Sequence, residues 1–366
     1  MPPRPRPGIL DIEPYVPGNV NLPEGVEPVF LASNESPLGP SPAAREAFAR
    51  CAGRLHRYPD GSSRRLRRAL AERWGLDPDG IVLGPGSERL IDLVARAYAG
   101  PGDEVLYSAH GFLMYPIAAR AGGATPVAAA ERDLTADPEA LLAAVTPRTR
   151  ILFLANPNNP TGTWLPRARL RALRAALPES VLLVIDAAYA EYVDAADYDP
   201  GHGWVRTPAE NTVVLHTFSK IHGLAALRIG WAWCPPSVAR VLDRIRGSFP
   251  ISHAAEEAAL AALADTEHLA AAQAHNRRWR PWLAERLAEL GLSVTPSAAN
   301  FVLVRFGSAA RCRAALRFLA EHGVIVRPMD AYALPDALRI TVGQAHENEI
   351  LVDTLKRFLE SEAHHA

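Results

Sequence analysis

From about residue 45 to 245 the chain repeats one pattern, a short uninterrupted apolar run closed by Gly, Pro or Asn and followed by a helical stretch. The runs are IVLG (81–84), EVLY (104–107), TPVAA (125–129), RILFLA (150–155), VLLVI (181–185), TVVLH (212–216) and RIGWAW (228–233). A strand with one wet face alternates apolar and polar residues. Continuous runs therefore imply cover on both faces, and helices between them make the connections crossovers. The pattern predicts an α/β fold whose large domain is a mostly parallel sheet flanked by helices.

After about residue 250 an Ala-rich helical stretch begins at AAEEAALAALADTEHL, followed by a second α/β set: NFVLVRF (300–306), a helix near 309–322, GVIVR (323–327) and ALRITVG (337–343). We expect an N-terminal arm and lead-in segment over 1–40, a large domain over 41–250 and a smaller C-terminal domain over 251–366. A length of 366 residues suits two domains.

Charge excludes some partners. With 39 Lys+Arg against 40 Asp+Glu the net charge is −1, which gives no attraction to nucleic acid or an anionic membrane. The first 40 residues are too short and proline-rich for a DNA-binding module. Cys51, Cys234 and Cys312 have no CxxC spacing and read as buried fillers in a reducing compartment rather than disulfides or metal ligands. MPPRPRPGIL has no apolar core of a secretion signal, and VLLVI is far short of the roughly 20 residues a membrane helix needs. These features predict a soluble, cytoplasmic protein whose partners are small molecules or another copy of itself.

Ligands of open α/β sheets bind at the carboxyl ends of strands. Three such ends carry complementary chemistry here: NPNNPTG (156–162) after RILFLA, DAAYAEY (186–192) after VLLVI, and TFSK (217–220) after TVVLH. An amide, a carboxylate, a phenol and an amine could converge on one crevice. GPGSERL (84–90) lies between a strand and the helical pattern SERLIDLVARAYA, so the Ser87 and Glu88 amides fall at a helix N-terminus, an anion site. It lacks the third glycine of GxGxxG, which argues against a nicotinamide dehydrogenase.

Several motifs in order resemble the fold-type I pyridoxal phosphate aminotransferases and, within them, the histidinol-phosphate aminotransferase group. They are PYVPG (14–18), SNESPLGP (33–40), RYPDG (57–61), NPNNPTG, SKIHGLAALRIG (219–230) and ALRITVG. The resemblance implies that Lys220 is the lysine whose amine condenses with the cofactor aldehyde and later carries a proton. It makes Asp186 the carboxylate beside the pyridine nitrogen, where a negative charge favours the protonated ring. Asn159 and Tyr189 resemble the partners of the ring 3-oxygen. Ser87, Glu88, Thr217, Ser219 and Arg228 would hold the cofactor phosphate, and Phe112 would stack on the ring, in a place where many relatives have tyrosine. Tyr58 matches a tyrosine that reaches the phosphate of the neighbouring subunit, which implies a homodimer with shared active sites.

On the substrate side the resemblance implies that Arg339 binds carboxylate, with Arg327 as second cation and Tyr15 and Asn34 lining the pocket. The implied partners are glutamate and histidinol phosphate, with 2-oxoglutarate and imidazole-acetol phosphate as their keto counterparts, in histidine biosynthesis. An aromatic amino acid aminotransferase or a threonine-phosphate decarboxylase would keep Lys220, Asp186 and Arg228 as well. A non-catalytic ligand sensor on this fold is the more distant alternative. The chain departs from the family where Asp-Glu-Ala-Tyr reads Asp186-Ala187-Ala188-Tyr189, and where His222 replaces a frequent aromatic. Both bear on substrate preference.

Overall fold

All seven apolar runs lie side by side in one sheet of the computed structural model, which describes residues 3–14, 28–205 and 211–365. The order is Ile81–Gly84, Gly230–Trp233, Thr212–Thr217, Leu182–Asp186, Thr149–Ala155, Glu104–Ser108, Thr125–Ala129. The strands from Thr212–Thr217 to Thr125–Ala129 pair in parallel, whereas Gly230–Trp233 runs antiparallel to both its neighbours. Leu152, Leu154, Leu183, Ile185 and Val214 enter the core on one face; Ile151, Phe153, Leu182, Val184 and Val213 enter the core on the other. Burying each such side chain stabilises by roughly 1.5–3 kcal/mol. A polar residue within these runs would be penalised on whichever face it met.

The C-terminal sheet has four antiparallel strands ordered Ser293–Thr295, Phe301–Arg305, Ala337–Thr341, Arg327–Pro328. Its apolar side shares a core with Leu283 and Leu287 of helix Thr266–Glu289, Leu319 of helix Ala309–Glu321, and Leu351 and Leu355 of helix Ala345–His365. The segment leading in from the N-terminus is stitched to this unit: Val29–Phe30 pairs in parallel with Val324–Ile325, and the Leu31 carbonyl accepts from the Thr341 amide at 2.8 Å.

Three sequence expectations change in detail. GVIVR is two short strands, because Val324–Ile325 pairs with the lead-in segment while Arg327–Pro328 pairs with Ala337–Thr341. RIGWAW begins its strand only at Gly230, since Arg228 sits in the left-handed region at φ 52° and ends a 3-10 turn. The Ala-rich helix breaks at Asp265, whose carboxylate caps the next helix by accepting from the His268 amide at 3.0 Å. Ala255, Ala258, Ala259 and Ala262 of the first half, His253–Ala264, belong to the core of the large sheet.

Candidate active site

Sheet register brings the chemistry together. Ala155 is opposite Asp186, and Asp186 is opposite Leu215, so loops 156–162 and 187–192 and the TFSK turn leave the same edge. That edge and the C-terminal sheet enclose a cavity of about 270 Å³. Asn34, Ser87, Glu88, Phe112, Asn159, Asp186, Tyr189, Thr217, Ser219, Lys220, Arg228, Arg327 and Arg339 all line it.

Lys220 Nζ donates to the Ser33 carbonyl at 3.0 Å and lies 5.9 Å from the Tyr189 ring centroid. The amine opens onto the cavity but is otherwise enclosed by protein. Burial, reinforced by the Arg339 and Arg228 charges and opposed by Glu35 and Asp186, lowers its pKa from 10.5 to about 7. The lysine is thus poised as a nucleophile and proton carrier near neutral pH.

Asp186 is 5 % exposed at the end of its strand. Its Oδ2 accepts from the Tyr115 hydroxyl at 3.0 Å and its Oδ1 from the Ala188 amide at 3.2 Å. Burial raises its pKa, against the opposing pull of those two hydrogen bonds and of His216 and Lys220. Tyr189 accepts from Asn34 Nδ2 at 2.9 Å, and burial pushes its phenol up to about 12 despite the lowering effect of Arg339 and Asn34. Asn34 itself adopts φ 54°, a left-handed turn tied by its amide to Thr341 Oγ1 at 2.9 Å.

One end of the cavity suits an anion. Helix Ser87–Tyr98 starts there after Gly86 at φ 89° with no side-chain cap, which leaves its first amides facing outward. Arg228 Nη1 lies 3.4 Å from Ser219 Oγ and donates to the Ala225 carbonyl at 3.0 Å. The Ser219 amide donates to Thr217 Oγ1 at 3.1 Å, which folds the turn so that both hydroxyls border the site. Gly230 has a steric reason: a Cβ there would lie 2.3 Å from the Ser87 amide nitrogen. Any side chain would push the strand away from the helix end.

Two further arginines of the lining come from the C-terminal sheet. Arg327 and Arg339 are directly paired across neighbouring strands. Arg339 is 7 % exposed, donating from Nη1 to Asn159 Oδ1 and from Nη2 to the Ala32 carbonyl, both at 2.6 Å. Like charges opposed on a sheet repel, an arrangement that an anion between them relieves.

Not every expected residue is in the cavity. Tyr58 is 83 % exposed, stacked on Phe249 at 4.6 Å outside it. Tyr15 lies outside the described residues. His222 packs on Phe218 at 4.9 Å, and Ala187 is wholly buried in the core, where a carboxylate would be costly to desolvate. Sequence reasoning missed Ser33, Glu35 and Tyr332 in the lining, and Tyr115 behind Asp186. Tyr115 lies on helix Met114–Gly122, and its amide donates to the Phe112 carbonyl at 2.9 Å, so the two aromatics of HGFLMYP share one turn.

Comparison with known proteins gives the family. The chain is 55 % identical to a histidinol-phosphate aminotransferase of Paramagnetospirillum magneticum, over 98 % of this chain and 99 % of the relative. It is 54 % identical to one of Rhodospirillum centenum over the same shares. A solved histidinol-phosphate aminotransferase of Sinorhizobium meliloti, in complex with pyridoxal-5'-phosphate, superposes with a TM-score of 0.86 at 34 % identity, covering 90 % of each chain. Residues 26–355 match the family described as aminotransferase class I and II, and the chain belongs to it.

Proposed function

We propose that this protein is a pyridoxal phosphate-dependent aminotransferase exchanging the amino group between glutamate/2-oxoglutarate and histidinol phosphate/imidazole-acetol phosphate in histidine biosynthesis. The observation that carries the reading is the convergence of charge: Lys220, the buried Asp186 carboxylate and the cross-strand pair Arg327 and Arg339 line one cavity. The full-length similarity to histidinol-phosphate aminotransferases supports it.

The residues present fit the cofactor: a capless helix end with Thr217, Ser219 and Arg228 for its phosphate, Phe112 for its ring face and Asp186 for its nitrogen. Bound there, pyridoxal phosphate supplies an aldehyde for the amine and a ring that accepts the electrons left when Cα loses its proton. Lys220 Nζ would hold that proton and hand it on. Asp186 would hold its charge beside the ring nitrogen, while Asn159 and Tyr189 would orient the ring oxygen. Arg339, fixed by Asn159 and Ala32, holds the glutamate α-carboxylate, and Arg327 joins it to hold a substrate phosphate.

In this reading the chain divides into a lead-in arm to about residue 40, a cofactor-holding unit over 41–250 and a unit over 251–366 whose first helix packs back on the large sheet. The enzyme works in the cytoplasm as a homodimer in which Tyr58 reaches the other subunit's cofactor phosphate. Exposure of Tyr58, Phe249 and Leu55 supports a covered face there, and no helix among the described residues is long and apolar enough to cross a membrane.

The test is single-turnover reaction of the cofactor-loaded protein with histidinol phosphate, phenylalanine and threonine phosphate separately, followed by the cofactor's visible absorbance. Histidinol phosphate is expected to react fastest, with glutamate able to react as well. Faster conversion by phenylalanine or threonine phosphate would transfer the assignment to that substrate.

A further inference from the structure

Tyr115 has a clamped ring and one polar atom with one partner. It is fully buried on helix Met114–Gly122, its ring stacked on Phe153 at 4.8 Å and 2° and met edge-on by Phe112 at 5.9 Å. A phenylalanine would make the same ring contacts. What phenylalanine lacks is the hydroxyl, which donates to Asp186 Oδ2 at 3.0 Å. We propose that Tyr115 is a positioning residue that keeps the negative charge on Asp186 and, through it, the proton on the cofactor's ring nitrogen. The proposal rests on the cofactor assignment above.

The physical case is a competition for one proton. A carboxylate taken out of water becomes more basic, and Asp186 is 5 % exposed. A hydrogen bond donated to the carboxylate offsets this, because it stabilises the charged form. Among the described residues Asp186 has two such donors, the Ala188 amide and the Tyr115 phenol. Burial and the neighbouring carboxylate hold the Tyr115 phenol well above its ordinary pKa, so it remains a donor throughout the working pH range. Phe153, which clamps the ring, lies on the strand that pairs with the one carrying Asp186, so donor and acceptor are fixed by one sheet register. Without the phenol, the carboxylate takes a larger share of the proton between itself and the ring nitrogen.

The experiment loads wild type and Tyr115→Phe with cofactor labelled with nitrogen-15 in the ring and compares the nitrogen chemical shifts. The wild type is expected on the protonated side but short of the fully protonated position, because the proton is shared with Asp186, and the variant displaced towards the unprotonated one. A roughly ten- to hundredfold loss in kcat should accompany it, the range for a hydrogen bond to a charged group. The loss should largely vanish in an Asp186→Asn background, because both changes act through one carboxylate. An unchanged nitrogen shift in folded, loaded Tyr115→Phe, or full additivity with Asp186→Asn, overturns the proposal while leaving the cofactor assignment intact. Failure of the wild type to bind the cofactor would overturn both. Should Tyr115→Phe not fold, 3-fluorotyrosine at position 115 gives the same readout with opposite sign: a stronger donor must move the signal further towards protonation, and no movement refutes the idea.

Discussion

Removing Arg327 should separate a phosphate-bearing substrate from an aromatic one. Arg327 and Arg339 are opposite residues on adjacent strands, which places their Cβ atoms about 5 Å apart. Like charges opposed on neighbouring strands are destabilising. A dianion between them replaces that repulsion with two attractions. Truncating one partner of a desolvated charge pair costs about 2–4 kcal/mol, equivalent to a loss of about thirty- to nine-hundredfold in kcat/KM. Arg327→Ala is therefore expected to lose this much with histidinol phosphate and much less with glutamate, whose carboxylate Arg339 holds alone. The assay is single-turnover conversion by each donor. Equal losses for histidinol phosphate and phenylalanine would refute the reasoning, since an aromatic side chain has no charge to lose. Arg339→Ala should damage both half reactions and also lower the melting temperature, because it leaves the Asn159 and Ala32 oxygens without their donor.

Further outcomes follow from the same geometry. Borohydride treatment of the loaded protein should leave the pyridoxyl group on Lys220, and peptide mapping that finds it elsewhere would remove Lys220 from its role. The unfolded chain holds the Lys220 proton up to about 10.5 and the folded one only to about 7, so this group makes folding more favourable as pH rises between those values. For the same reason, cofactor capture by the apoprotein should rise through about pH 7 and then level off; a rate still climbing towards pH 10 would contradict the enclosed amine. Gly230→Ala places a Cβ 2.3 Å from the Ser87 amide; we expect about 1–3 kcal/mol of overpacking in the melt and at least about tenfold weaker cofactor binding by titration. Mixing Tyr58→Ala with Lys220→Ala subunits should restore activity beyond either parent, and none after demonstrated subunit exchange would argue against a shared site.

Legibility in the sequence followed the length scale of the signal. The strands were readable because parallel strands covered on both faces leave continuous apolar runs, and Asp186, Lys220 and Asn159 were readable because each sits where such a run ends. Arg228 was assigned to a strand because LRIGWAW is apolar enough to be one; its left-handed turn at the end of the 3-10 segment Ala225–Leu227 leaves no apolar signature of its own. GVIVR divides because two different partners pair with its two halves, which no local pattern records. The break at Asp265 was written in the sequence as a capping residue inside an alanine run. Tyr115 escaped notice because its importance depends on which side chain faces it across the sheet end, and HGFLMYP alone offers Phe112 as the evident aromatic.

The abutment of Gly230 on Ser87 also bears on the order of folding. The two halves of the anion cradle are about 140 residues apart in the chain, and they meet only after Gly230–Trp233 has inserted between Ile81–Gly84 and Thr212–Thr217. Such long-range closure comes at high entropic cost and is expected late. A growing chain that ends before Gly230 has its helix end and its lysine but no cradle. Cofactor phosphate then recognises the completed sheet rather than any precursor, and by mass action its binding draws the population towards the fully closed molecule.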